Sequence, residues 1–178
     1  QGHEIVTLTI SSRLSGTWNS AMAAKEMMPD ARISVVDSLS TSVGLMLMVE
    51  AAVEARDAGA SREEIVQRIE EIKAKIHVYF VVDTLEYLAK GGRIGNAKAF
   101  LGTLLKVKPI LVLKDGVIEP LEQVRSKRKA QARMVDLVVE CMGGDGKGAR
   151  IALVDALVPE ESAVLAKEIQ ERLNCEAP

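Results

Sequence analysis

Histidine and aromatic side chains are scarce in this chain: two histidines, one tryptophan, two tyrosines and two phenylalanines in 178 residues. His3 lies in the terminus and His77 opens a strand-like stretch, so the sequence assembles no histidine relay and no metal site. So few rings leave little material for stacking nucleobases. A formal net charge of −2 supplies no general excess of positive charge for nucleic acid. The two cysteines, Cys141 and Cys175, lack metal-ligand spacing and suit idle thiols in a reducing compartment. No apolar run approaches the roughly 20 residues of a membrane span. The longest, Val43 to Val49, breaks at Glu50. No secretory leader is read, and an opening on Gln1 so close to a strand predicts a fragment of a longer protein. No glycine-rich phosphate loop of either standard spacing follows a strand. Ser12 also lacks the G-x-S-x-G elbow of a serine nucleophile.

What is present is an ordinary globular balance, 48% hydrophobic and 27% charged residues. Strand and helix signals alternate. Alternating apolar residues in EIVTLTI (4–10) predict a strand, and an Ala/Met-rich stretch to about Met28 predicts a helix. ARISVV (31–36) is a second strand, followed by a helix from about Thr41 to Ala58 that stops at Gly59. Ser61 with Glu64 three residues on forms a capping box opening a helix to about Ile76. HVYFVV (77–82) is a strand; TLEYLAK and NAKAFLGTLL are short helices separated by Gly91-Gly92. VKPILVL and VIEPLEQV flank Lys114-Asp115-Gly116, a hairpin signal because Asp-Gly accepts positive φ. A helix follows from about Lys127 to Met142, then a strand in ARIALVDA (149–156) and a helix begun by Pro159.

The β-α-β-α opening predicts an α/β fold. A parallel sheet with crossover helices forms the first lobe (1–76). A second α/β lobe with an antiparallel hairpin occupies 77–178.

Hydroxyl groups collect at the ends of the first two predicted strands. ISSRLSGTW places serines and a threonine at a strand-to-helix turn, where the first helical N–H groups lack partners. Two readings are open there: Ser15 or Thr17 caps the helix, or the turn holds an anion by its donors and the helix dipole. Asp37, Ser38, Ser40, Thr41 and Ser42 repeat the pattern at the second strand end. In open α/β sheets ligands dock at that edge. The helix after it is apolar nearly all round from Val43 to Val49, which predicts burial on more than one side. Arg93 projects from the Gly91-Gly92 turn, good geometry for a carboxylate or phosphate. VRSKRKAQAR (124–133) is a local basic patch, read either as a solvated helix face or as a dock for an acidic partner.

Three blocks are recognisable in order: ISSRLSGTWNSA, VVDSLSTSVGLMLMVEAA, and the long run LEYLAKGGRIGNAKAFLGTLLKVKPILVLKDGVIEPLEQVRSKRKA. From about residue 5 to residue 133 the chain resembles the DegV family. The resemblance implies a bacterial, cytoplasmic two-domain α/β protein that binds one long-chain fatty acid in a buried tunnel. Binding alone is what it implies, so no catalysis or cofactor is expected, while the residues themselves argue against a metal, nucleic acid and an integral membrane segment. It also implies presentation of the acid to a fatty-acid kinase serving phospholipid synthesis.

By position, Ser12 first and Ser15 second would hydrogen-bond the fatty-acid carboxylate, Gly16 would allow close backbone approach, and Arg93 would lie near the head group. Leu45, Met46, Met48, Val49, Phe100, Leu101 and Leu104 are the tunnel candidates. Arg125, Lys127 and Arg128 are the candidates for docking the kinase. A family Thr-Ser-Gln-Pro-like segment and a late His-Gly-Pro-Gly segment are not in these residues, which predicts truncation at both ends.

Burying ten methylenes is worth about 8 kcal/mol gross at about 0.8 kcal/mol each. Each hydrogen bond to the charged head adds about 1.5–3 kcal/mol. The tail therefore supplies affinity and the serines orientation. The competing reading is a small-molecule transferase or hydrolase that uses the serine turns as an anion site.

Overall fold

The computed structural model describes residues 2–102 and 107–175. The chain divides into two compact units, Gln1–Ile76 with Lys114–Val117, and His77–Leu113 with Ile118–Pro178.

In the first unit β1 (Ile5–Thr9) and β2 (Ile33–Asp37) pair in parallel, Ile5 opposite Ile33 and Thr9 opposite Asp37. The crossover is α1 (Thr17–Glu26), so the chain builds the β-α-β unit that its alternation predicts. α2 (Ser42–Asp57) and α3 (Arg62–Lys73) complete the unit. α3 starts on the predicted capping box: the Ser61 hydroxyl accepts the Glu64 N–H, and the Glu64 carboxylate accepts the Ser61 N–H at 2.7 Å. The core packs Val36 of β2, Met48 of α2, and Ile65 and Ile69 of α3.

α2 departs from the expected all-round burial. Its buried residues are Gly44, Met48 and Ala51, spaced on one helical face. Met46, Val49 and Val53 are exposed. Within this unit a two-stranded sheet and α3 cover one face of the helix and leave the other open.

In the second unit β3 (Val78–Val81), β4 (Lys108–Lys114) and β5 (Val117–Val124) form a sheet in the order β3-β4-β5, with β3 antiparallel to β4. The turn between β4 and β5, which belongs to the first unit with Lys114–Val117, takes φ +48° at Asp115 and +78° at Gly116, the positive values that a two-residue hairpin turn needs. α4 (Glu86–Lys90) and a 3-10 helix (Gly95–Phe100) carry the glycine-rich segment. α5 (Lys127–Cys141) lays Ala130 and Leu137 over Ile110 of β4, and Val135 against Ile169 and Leu173 of α6 (Pro159–Leu173).

The expected strand at 149–156 does not form. Ile151 and Leu153 do pack against the α5–α6 cluster, so the alternation is used. Among the described residues, however, no neighbouring strand joins the segment to a ladder, and a strand is defined by the partner that takes its N–H and C=O groups. Among the described residues, no helix is long and apolar enough to cross a membrane.

Candidate functional site

The parallel pairing brings both serine-rich turns to the same end of the β1–β2 pair. Thr9 and Asp37 are register partners, and the chain runs on from each into a turn and then a helix. Strand alternation continues past the end of β1: Thr9 and Ser11 are buried, and Ser12 is half-buried.

Hydrogen bonds stitch the two turns together. Ser11 N–H donates to Ser40 O at 2.8 Å, and Ser38 N–H to Thr9 O at 3.2 Å. One carboxylate oxygen, Asp37 Oδ1, accepts the N–H of Ser12 and the N–H of Leu39, both at 3.1 Å. Lys73 Nζ donates to Asp37 O at 3.1 Å. Leu39 and Ser42 both adopt φ +48°, uncommon for side chains of their kind and a mark of a backbone held by its surroundings.

The hydroxyls have different occupations. Ser11 Oγ donates to Gly116 O at 2.9 Å, inside the first unit, to which Lys114–Val117 belong. Ser38 Oγ donates to Ser40 O at 3.2 Å. Ser15 Oγ accepts the Thr17 N–H at 3.3 Å and lies 2.8 Å from Thr17 Oγ1. Ser15 thus closes the turn locally as the capping reading expected, although the residue at the N-cap position is Gly16. The Ser12 hydroxyl makes no hydrogen bond among the described residues. Ser40 Oγ is fully buried and also without a partner.

Neither α1 nor α2 has an acidic residue in its first turn or a side-chain cap at its N-cap position. Negative charge at this edge comes instead from the Asp37 carboxylate at the end of β2, and Ser15 Oγ takes the Thr17 N–H of α1. The half-buried Ser12 hydroxyl, with no protein partner among the described residues, can donate to a carboxylate or another oxyanion.

Ser12, Ser15 and Gly16 are therefore brought together in one turn. Of the tunnel candidates on α2, Met48 is a core residue and completely buried, Leu45 is half-buried, and Met46 and Val49 are exposed. Val49 and Val53 line a groove of about 590 Å³ with Ile5, Leu8 and Ile65. That size lies within the span of about 300–1,000 Å³ usual for small-molecule clefts.

In the second unit Arg93 is exposed, with Nη1 donating to Gly91 O at 2.5 Å. Phe100 is half-buried, Leu101 is exposed, and Leu104 lies outside the described residues. Arg125 and Arg128 are exposed. Lys127 is not the free surface cation expected: its Nζ pairs with Glu161 at 2.9 Å, a contact that raises the lysine's pKa and lowers that of the glutamate. The sequence reading named Asp37 in the second strand-end cluster without its bridge to Ser12, and it did not single out the Ser11 hydroxyl. Strand parity carried one residue beyond Ile10 was the available signal for Ser11. Asp37 bridges to a residue 25 positions away and left no local signal.

Among the described residues, no group of three or more His, Cys, Asp or Glu side chains is placed to hold a metal ion. The fold has counterparts among known proteins. A family model described as "Uncharacterised protein, DegV family" matches residues 1–177. A DegV domain-containing protein of Streptomyces coelicolor is 39% identical over 169 residues, which cover 95% of this chain and 59% of the relative. The chain therefore spans about three fifths of that relative's length.

Two solved structures resemble the fold. One is of a DegV family protein from Thermus thermophilus described by its fatty acid binding, with 39% identity and a TM-score of 0.75 over 80% of this chain and 50% of that one. The other is a stearic acid-binding protein from Eubacterium ventriosum, with 29% identity and a TM-score of 0.86 over 99% of this chain and 62% of that one. With the profile running almost end to end and the α/β architecture matched, this chain belongs to the DegV family.

Proposed function

We propose that this chain is part of a protein that binds a long-chain fatty acid, with the carboxylate received at the Ser11–Thr17 turn. The observation that carries the proposal is the Ser12 hydroxyl. It is half-buried at the carboxyl end of a parallel strand pair and has no hydrogen-bond partner among the described residues, while Ser11, Ser15 and Ser38 bond to the protein. A buried ligand oxygen would complete it, and α1 has no acidic side chain in its first turn to set against a negative head group. Ser15 and Gly16 shape the turn and bring its backbone close to the head group.

Related structures described as fatty-acid-binding support the choice of ligand. The exposed apolar side chains Met46 and Val49 on α2 supply contact area for an acyl chain. The protein works in the cytoplasm as a carrier rather than a catalyst. It hands the acid to a kinase that docks on Arg125 and Arg128, for use in phospholipid synthesis; this part rests on the family resemblance and on the exposure of both arginines.

The test is uptake of labelled oleate by delipidated protein, for the wild type and for Ser12→Ala. Uptake at micromolar ligand, weakened about tenfold by the substitution, is expected for a lost bond to a charged group. Absence of uptake at that concentration overturns the reading.

A further inference from the structure

Gly116 and Ser11 are separated by 105 positions, yet the Ser11 hydroxyl donates to the Gly116 carbonyl at 2.9 Å. Ser11 is completely buried and every polar atom it carries is used. Its Oγ also accepts the Arg13 N–H at 3.2 Å, its N–H donates to Ser40 O at 2.8 Å, and its carbonyl accepts the N–H groups of Leu14 and Ser15 at 3.0 Å each.

Gly116 meets this cluster as only glycine can. Its φ is +78°, and a Cβ there would run into Ser11 Oγ and stand 3.1 Å from Leu39 Cδ2. Leu39 is in turn fixed by Asp37 Oδ1, the same atom that holds the Ser12 N–H.

We propose that Ser11 and Gly116 are positioning residues for the carboxylate turn: their hydrogen bond pins the end of β1 so that the adjacent Ser12 hydroxyl stays free and aimed at the ligand's head group. The proposal rests on the fatty-acid reading given above. With Ser11 tied to Gly116 and the Ser12 N–H tied to Asp37, the backbone carrying the Ser12 hydroxyl is set before any ligand arrives. Such preorganisation removes an ordering cost from binding. Without the Gly116 contact the end of β1 loses this tether, and the backbone that carries the Ser12 hydroxyl is held less firmly before ligand arrives. The cost falls on recognition of the charged head and not on the hydrocarbon tail.

The experiment compares oleate with oleyl alcohol, which has the same tail and a neutral head, on delipidated wild type, Ser11→Ala, Gly116→Ala and Gly59→Ala. Gly59 has φ +86° and no atom within 4 Å of the place a Cβ would take, so its substitution imposes positive-φ strain away from the turn. Ser11→Ala and Gly116→Ala are expected to weaken oleate about tenfold and oleyl alcohol less than about twofold, with Gly59→Ala leaving the ratio unchanged.

Equal weakening of both ligands, or unchanged oleate binding, overturns the proposal and makes Ser11 an ordinary buried hydroxyl. Failure of the wild type to take up either ligand instead overturns the fatty-acid reading and this inference with it. If Gly116→Ala does not fold, Ser11→Ala carries the test, since it deletes one oxygen and adds nothing.

Discussion

Ser11 and Ser12 are joined by a single peptide bond and carry the same side chain, but the protein uses one and leaves the other open. Alternation at the end of β1 turns Ser11 inward, where its hydroxyl must find a partner or cost about 1–3 kcal/mol, and Gly116 O provides it. Ser12 faces the other way and keeps a hydroxyl to spare. The two alanine variants are therefore expected to separate. Ser11→Ala leaves Gly116 O without its donor and lowers stability by about 1 kcal/mol or more, read as a shifted urea midpoint. Ser12→Ala leaves that midpoint within about 0.5 kcal/mol of the wild type and lowers oleate affinity alone.

At the scale of elements, α2 makes the same distinction along its length. Met48 and Val49 are adjacent, and both are candidate walls of an acyl tunnel by sequence. Met48 is completely buried against Val36, Ile65 and Ile69, whereas Val49 is 41% exposed and lines the groove beside β1. Met48→Ala is expected to cost about 2–5 kcal/mol by opening a cavity in the core. Val49→Ala is expected to stay within about 0.5 kcal/mol. Denaturant titration of both variants checks the pair, and a large loss from Val49→Ala would show that this face of α2 is covered.

The β5–α5 contact gives a pH dependence. Arg133 donates to both oxygens of Glu122, Nη2 at 2.9 Å, and also reaches Glu140 at 2.7 Å. The Arg133 hydrogen bond holds the Glu122 carboxyl below its ordinary pKa. A carboxylate depressed in the folded state contributes stability that is present above its unfolded pKa, about 4.3, and is lost as pH falls through the lower folded value. Arg133→Gln is therefore expected to lower stability at neutral pH and to flatten its decline below about pH 4.3, in urea unfolding across that range. The pair is partly exposed, so the effect is modest and shrinks with salt.

For the whole molecule, the basic stretch at 124–133 is not one uniform patch. Arg133 is engaged with Glu122 and Glu140, and Lys127 with Glu161, while Arg125 and Arg128 remain exposed. If a kinase docks here, reversing Arg125 and Arg128 to glutamate slows kinase-dependent phosphorylation of bound oleate and leaves oleate retention unchanged, because exposed rim charges act mainly on association rate. Loss of oleate from that double variant, with its circular dichroism spectrum intact, would place the arginines at the ligand instead.

Much of the fold was legible because it is decided locally. The capping box at Ser61 and Glu64 joins groups three residues apart, Asp115-Gly116 needs only its own φ angles, and Pro159 opens α6 from its own ring. The family likeness and both hydroxyl-rich strand ends are likewise carried by contiguous residues. Tertiary structure decided the rest. It determined which of two adjacent serines is free, which face of α2 is core, which cation in the basic stretch is already paired, and that 149–156 runs on without a strand partner. Each of these turns on a partner distant in the chain: Gly116 for Ser11, Ile65 and Ile69 for Met48, Glu161 for Lys127, a neighbouring strand for 149–156. Periodicity and composition tell what a residue can do near its own backbone, whereas hydrogen bonds and packing across tens of residues depend on where the fold delivers the other half.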